Sequence, residues 1–198
     1  MLDIGCDTGV FIQEAARMFN FTPVGIDVSL ASVREARVRG MEAYQASIED
    51  APAQLKNLAV ITAIDLIEHV TRPREFLRAV YERLRPGGVI YLETPNNSSI
   101  VYLCGRFLCR LTGARPRRGF ERLFPRQHAQ YLTPAGLRIL AVDCGFEAVR
   151  LGARVLPLRD VGASPIVRAG VASLQLLDLV MRSDGLLIYA LLRKPLRT

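Results

Sequence analysis

The residues of the first half that could do chemistry stand at the ends of apolar runs. Met1-Leu-Asp-Ile-Gly-Cys-Asp-Thr-Gly9 is an apolar strand that runs into a turn with glycine at both bends. A helix following such a turn brings backbone N–H groups and a helix N-terminus to a small ligand, and glycine lets the backbone approach where a Cβ would collide. Asp27 ends the next apolar run, 18 residues after Gly9. A carboxylate at that point can accept hydrogen bonds from both hydroxyls of a ribose. Strand, glycine turn, helix, strand and acid make a nucleoside-binding unit. The turn Gly5-Cys-Asp-Thr-Gly9 lacks G-x-G-x-x-G spacing, which disfavours a pyrophosphate. Farther on, Asp65, Glu68 and His69 form an acid-x-x-acid-His cluster, and His128 is the other histidine. Imidazole titrates nearest neutrality, so His69 and His128 are the candidate general bases. The competing reading is packing, with His69 bonded to backbone in its loop and His128 under the segment around it.

Turn and apolar patterning predict the elements that hold these residues. Strands are expected over 2–5, 22–26, 41–46, 59–64, 89–94, 146–151 and 186–192. Helices are expected over 10–19, 30–39, 73–84, 100–111, 134–144 and 166–181, with a short helical turn over 51–58. Ser29 reads as an N-cap, Gly40 as a C-cap and Pro73 as a first-turn proline. Arg85-Pro86-Gly87-Gly88 reads as a stop before the fifth strand. Residues 59–64 read as one apolar run, Thr62 apart, as expected of a strand buried on both faces. Alternating strands and helices imply an α/β fold with a parallel sheet and right-handed crossovers, binding ligands at the carboxyl ends of its strands. The last two strands are of a type to pair antiparallel. The rhythm breaks after Pro95. Residues 96–130 read as an Arg-rich insertion or cap over the ligand edge of a single domain spanning 1–198. Its irregular part holds Arg115, Arg117, Arg118, Arg122 and Arg126.

Charge is split along the chain. Residues 1–99 carry a net −3 and residues 100–198 a net +10, nearly all of it arginine. A basic half suits an anionic partner, whether an acidic substrate, a membrane surface or nucleic acid; the alternative is a solvated Arg-rich face. Among these, residues 106–126 are the best candidate for substrate contact, because Arg matches carboxylate and phosphate geometry. They lack the closely interleaved aromatics of a single-strand nucleic-acid platform, so nucleic acid is disfavoured. No apolar run is long enough to span a bilayer, and the first residues lack the basic and apolar regions of a secretion signal. Cys6, Cys104, Cys109 and Cys144 form no CxxC and no zinc spacing and read as reduced thiols of a cytoplasmic protein. The stripe along 166–181 reads as core or subunit contact, including a homodimer, or as peripheral membrane contact.

Several motifs together resemble a family. Leu2–Gly9 looks like motif I of the class I S-adenosylmethionine-dependent methyltransferases, and Gly25-Ile-Asp27 looks like motif II. Ser47-Ile-Glu-Asp-Ala-Pro52 is similar to the loop that lines the adenine. Ile64-Asp-Leu-Ile-Glu-His-Val70, Leu84-Arg-Pro-Gly-Gly88, Glu93-Thr-Pro-Asn96, Gln127-His128, Tyr131-Leu-Thr-Pro134 and Cys144-Gly-Phe146 resemble the subgroup that includes the ubiquinone-pathway O-methyltransferases. The resemblance implies a doubly wound, mostly parallel seven-stranded sheet of order 3-2-1-4-5-7-6 with the last strand antiparallel. It implies a Rossmann-like methyltransferase fold, N-terminally truncated relative to members that carry covering helices upstream.

By the same resemblance, Gly5, Cys6 and Gly9 pack against the amino-acid part of S-adenosylmethionine and Asp3 orients their turn. Asp27 holds the ribose, Val28 flanks the adenine, Ser47 and Ile48 complete its slot, and Ile64 contacts the methionine side. Val28, Ile48 and Ile64 have ordinary core packing as the alternative. Asp7 takes the place of a usual glycine. It is expected to bond the cofactor's ammonium or cap the following helix, which an acid at a helix N-terminus favours, or else to repel the cofactor's carboxylate. Some related quinone O-methyltransferases hold a divalent cation at a cluster like Asp65, Glu68 and His69. The oxygen donors would suit Mg²⁺, and the alternative is that Glu68 orients His69. The implied function is methylation, most simply at oxygen, of a small, anionic or lipid-like acceptor. The alternatives are a non-catalytic relative or fragment and an RNA-binding or RNA-methylating module.

Overall fold

The structure is a computed structural model that describes residues 1–113, 121, 124–155, 168–170, 172–173, 176 and 185–196. In chain order the elements are β1 (Leu2–Ile4), α1 (Val10–Phe19), β2 (Val24–Asp27), α2 (Leu30–Val38), β3 (Glu42–Gln45), β4 (Leu58–Ile64), a single 3-10 turn (Ile67–His69), α3 (Pro73–Arg83), β5 (Leu84–Pro95), α4 (Ile100–Thr112), α5 (Pro134–Asp143), β6 (Glu147–Arg154) and β7 (Leu187–Arg193). They build one seven-stranded sheet of order β3-β2-β1-β4-β5-β7-β6. The first five strands pair in parallel, and β7 runs antiparallel to both β5 and β6.

The local signals act as their chemistry dictates. Ser29 caps α2 by accepting from the Ser32 N–H at 3.3 Å. Gly40 adopts φ +80° just past that helix, so Met41 N–H can reach back to the Ala36 carbonyl at 3.1 Å. The apolar run in β4 is buried at Ile61 and Ala63 between Leu2, Ile4 and Ile90 of the neighbouring strands. Each of these leucine and isoleucine side chains contributes about 1.5–3 kcal/mol by leaving water.

Two expected elements differ. Residues 51–58 form turns and then the start of β4 rather than a helical turn. A loop without a ladder leaves its carbonyls unpaired, and Arg83 satisfies them: its guanidinium donates to the carbonyls of Ile48 (3.0 Å), Ala51 (2.7 Å), Pro52 (3.1 Å) and Leu55 (3.1 Å). Arg83→Met keeps the stem but loses all four bonds. It is expected to lower the unfolding free energy by about 2–3 kcal/mol, read by urea denaturation. The second difference is the start of the fifth strand. The helix α3 stops at Arg83, ahead of Arg85–Gly88, but β5 begins at Leu84 rather than at 89, and the ladder shifts register between Leu58 and Val60. Gly88 passes so near the Leu58 carbonyl that a Cβ would lie 2.7 Å from its oxygen, and the Lys194 N–H donates to the Gly88 carbonyl at 2.9 Å.

Arg115, Arg117, Arg118 and Arg122 lie outside the described residues. In the 166–181 segment the described residues 168–170, 172–173 and 176 are helical, and the rest lies outside the described residues.

Candidate functional site

The parallel strands end together, and a cleft of about 340 Å³ opens where they do. Ile4 and Gly5 from the end of β1, Asp27 and Val28 from the end of β2, and Ala46–Glu49 from the end of β3 make one side. Leu66 and residues His69 to Arg72 after β4, with Glu75 and Phe76 of α3, make the other. The volume falls in the usual range for small-molecule pockets.

Backbone geometry forms the first wall. Gly5, Asp7 and Gly9 all have positive φ (72°, 45° and 79°). The N–H groups of Gly5 and Cys6 both donate to the Ile26 carbonyl, at 2.8 and 3.1 Å. A Cβ on Gly5 would stand 3.0 Å from Leu66 in a backbone conformation that side chains rarely adopt. Gly9 serves the core instead: a Cβ there would lie 2.8 Å from the Met41 methyl, so its glycine lets α1 seat on the sheet.

Asp27 is the anchor of the turn. Its Oδ2 accepts the Asp7 N–H at 3.0 Å and its Oδ1 accepts the Ser29 N–H at 2.8 Å. A carboxylate has about four lone-pair positions, so acceptor capacity remains for a ligand in the cleft. Val28 is 73% exposed, which rejects core packing and leaves an apolar face at the rim. Ile48 is fully buried and belongs to both core and cleft. The Ser47 hydroxyl closes its own loop, donating to Asp50 Oδ2 at 2.9 Å and accepting from the Asp50 N–H at 3.3 Å.

Besides Gly9, four of the residues read from the sequence as cofactor contacts lie elsewhere. Asp3 points under the sheet, where Thr62 of the adjoining strand donates to its Oδ1 at 2.6 Å. That bond, with no hydrogen bond from the turn to Asp3 among the described contacts, leaves Asp27 as the residue that orients residues 5–9. The Cys6 side chain turns into a second core cluster with Ile12, Val33 and Met41, and burial pushes its thiol up to about 12. Asp7 does not cap α1, whose first turn has no side-chain cap; its Oδ1 accepts from Ser32 Oγ at 3.0 Å and ties the turn to α2. Ile64 pairs with Glu93 and does not line the cleft.

Asp3 also carries an electrostatic cost. Burial, and secondarily the Asp27 charge, push its carboxyl up to about 7 although Thr62 donates to it. The unfolded carboxyl ionises near 4, so the folded chain binds an extra proton and this cost grows as pH rises from about 4 to 7. Asp3→Asn is expected to raise the unfolding free energy at pH 8 by about 2–4 kcal/mol and to change little at pH 4, measured by denaturation at the two pH values.

Beyond the cleft, the 3-10 turn and the returning segment 127–131 lock together. Gln130 Nε2 donates to the carbonyls of Ile67 (2.7 Å) and Val70 (3.0 Å), and the Ala129 N–H donates to the Glu68 carbonyl (2.8 Å). The Gln127 carbonyl lies 3.1 Å from His69 Nδ1, which it holds as an N–H donor. His69 and His128 meet edge to face with ring centres 4.8 Å apart, and His128 meets Tyr131 at 5.6 Å. Burial and then His69 lower the His128 pKa from the usual histidine value, so the ring is neutral at pH 7. Among the described residues, His128 Nδ1 is a buried nitrogen without a hydrogen-bond partner.

Glu68 is 3% exposed, accepts from Thr94 Oγ1 at 2.8 Å, and is raised by burial. Asp65, at φ +49°, is pushed up to about 6 by burial of its carboxyl and then by the Glu68 and Glu93 charges. Among the described residues the group brought within 4.8 Å is Glu68, His69 and His128, without Asp65. Two imidazoles and one carboxylate are not the oxygen-rich set that Mg²⁺ takes, so the residues present do not fit that ion.

Order of strands, the cleft at their carboxyl ends and the acid after β2 agree with one family, and its profile, described as "Methyltransferase domain", matches residues 1–151. The chain belongs to the methyltransferase-domain family. Among curated proteins of known name, this methyltransferase-domain chain is 31% identical over 113 residues to a ubiquinone biosynthesis O-methyltransferase of Pseudomonas putida, covering 52% of the chain and 47% of that protein. The chain spans about half the length of such relatives. Among solved structures it superposes on a SAM-dependent methyltransferase of Archaeoglobus fulgidus with a TM-score of 0.65 at 18% identity, covering 98% of this chain and 84% of that one. A phosphoethanolamine N-methyltransferase of Haemonchus contortus, solved with S-adenosyl-L-methionine, gives 0.65 at 16% identity over 98% of this chain and 48% of that one. These structural likenesses show the fold of the methyltransferase domain.

Arg83, Gln130 and Leu66 went unread in the sequence. Arg83 and Gln130 act on backbone carbonyls far along the chain, and no spacing motif marks such a bond. Leu66 sits inside the acid-x-x-acid-His cluster, where its neighbours drew the reading.

Proposed function

We propose that this chain binds S-adenosylmethionine in the 340 Å³ cleft and methylates a hydroxyl of a small or lipid-like acceptor. The observation that carries the reading is the cleft itself, with a glycine turn anchored on Asp27, an exposed Val28 and a buried Ile48 around one space. The residues fit the cofactor. Gly5 bends the backbone at the cleft in a conformation that side chains rarely adopt, Asp27 keeps acceptor positions for two ribose hydroxyls, and Val28 and Ile48 offer apolar faces to a flat ring. When bound, the sulfonium supplies an electrophilic methyl group. The chain's own task is then proximity and proton transfer. Neutral His128 holds a lone pair for the acceptor's hydroxyl proton. His69, fixed by the Gln127 carbonyl, borders the cleft and touches His128, so it positions the base next to the cofactor side.

Transfer of a tritiated methyl group from S-adenosylmethionine to the organic-solvent extract and to the RNA of the source cells tests the reading. Label in alkali-stable material of the organic extract is expected. Label confined to RNA overturns the small-molecule assignment, and no transfer to either overturns the enzymatic one.

A further inference from the structure

A second hollow, of about 490 Å³, lies beside α4 and is lined by Asn97, Arg106, Cys109, Arg110, Phe124 and Tyr131. It neighbours the proposed site across a stack of rings: Tyr131 in its wall contacts His128, and His128 contacts His69 on the rim of the cleft. Its surface combines two chemistries. Phe124 and Tyr131 pack edge to face with centres 5.8 Å apart, and Tyr102 closes the group from behind at 5.5 and 6.2 Å. Burial pushes the hydroxyls of Tyr102 and Tyr131 up, so both rings stay neutral. Against this apolar wall stand two guanidinium groups. Arg106 is held by Asn97, donating to its side-chain and backbone oxygens, while Arg110 projects one helical turn farther along α4. Among the described residues neither forms an ion pair with an acid, in contrast to Arg154, which is bound to Glu93.

Cations left without acids beside an apolar hollow select a ligand that is apolar along its length and anionic at one end. We infer that this hollow binds the methyl acceptor, and that the acceptor is an apolar small molecule carrying a carboxylate, which Arg106 and Arg110 receive while its hydroxyl faces His128. The assignment rests on the methyltransferase reading and names the substrate class of the same site. Arg106 is preorganised by Asn97, so little freedom is lost when it engages the carboxylate, and Arg110 supplies the second charge.

Cys109 in the wall allows a test that needs no methyl transfer. The full chain is alkylated with iodoacetamide, and the rate at Cys109 is followed by peptide mass spectrometry in the presence of decanoate or decan-1-ol. Decanoate is expected to slow alkylation saturably, with decan-1-ol needing about tenfold more, and Arg110→Gln should bring decanoate to the level of the alcohol. Arg110 is exposed, so the variant leaves the fold in place, which circular dichroism checks. Equal protection by acid and alcohol, or protection by decanoate unaltered in Arg110→Gln, overturns the proposal. Protection by phosphatidylglycerol vesicles without any by decanoate overturns it in favour of a lipid surface. Because the readout is independent of the cofactor, a chain that fails to bind S-adenosylmethionine still reports on the hollow. Cofactor binding with no preference for the carboxylate sinks the acceptor class alone.

Discussion

Asp27→Ala is expected to weaken S-adenosylmethionine binding by more than a hundredfold. Two losses coincide at this side chain. Its carboxylate holds the glycine turn through the Asp7 and Ser29 N–H groups, at 3.0 and 2.8 Å. The same carboxylate is proposed to receive the ribose hydroxyls, and hydrogen bonds to a charged group contribute about 1.5–3 kcal/mol each, or roughly tenfold in affinity apiece at the low end. Asp27→Asn separates the two. Its amide oxygen accepts one backbone N–H, but the amide nitrogen cannot accept the other, so an intermediate loss of about tenfold to thirtyfold is expected. Ser32→Ala removes only the bond to Asp7 Oδ1 and should shift affinity by less than about threefold. Calorimetric titration of the four proteins reads the series. Equal affinity in Asp27→Ala and wild type would remove the ribose from this carboxylate.

His128→Phe carries the second large effect. Phenylalanine keeps the ring contacts with His69 and Tyr131 and removes both nitrogens. General base catalysis contributes about 10²–10⁴ in rate, and a loss of that size is expected once an acceptor is in hand. Cofactor affinity should hold within about twofold, because His128 does not line the cleft. The pH profile supplies a readout that packing damage does not move. Burial and His69 lower the pKa of His128, so wild-type turnover rises with pH through an apparent pKa below the ordinary histidine value. In His128→Phe that acidic limb should vanish. A variant that is slow but keeps the limb assigns the base to another group, with His69 the first to examine.

How far the sequence reached can be traced through single residues. β4 was legible because its central residues are buried and, Thr62 apart, apolar; α2 was legible because Ser29 and Gly40 mark its ends with local chemistry. Sheet order followed from motifs whose succession matches one architecture. Within the site, Asp27 and Val28 line the cleft because a strand end fixes the place of both. Cys6 and Gly9 were harder: spacing within a turn does not say which positions face a ligand, and only the packing against Gly25 and Met41 shows that both serve the core. Asp7 was open because its carboxylate had two local choices, and its actual partner, Ser32, is 25 residues away. The meeting of His69 with His128 is a product of the fold alone, since 59 positions separate residues brought together by Gln130 and the Glu68 carbonyl.

The central claim is that the cleft at the carboxyl ends of β1, β2 and β3 is the cofactor site. A crystal structure of the chain grown with saturating S-adenosylhomocysteine tests it most directly. The expected result is one bound molecule with both ribose hydroxyls about 2.5–3.0 Å from the Asp27 carboxylate and the adenine between Val28 and Ile48. A molecule bound elsewhere, or a cleft that stays empty at saturating ligand, would contradict it.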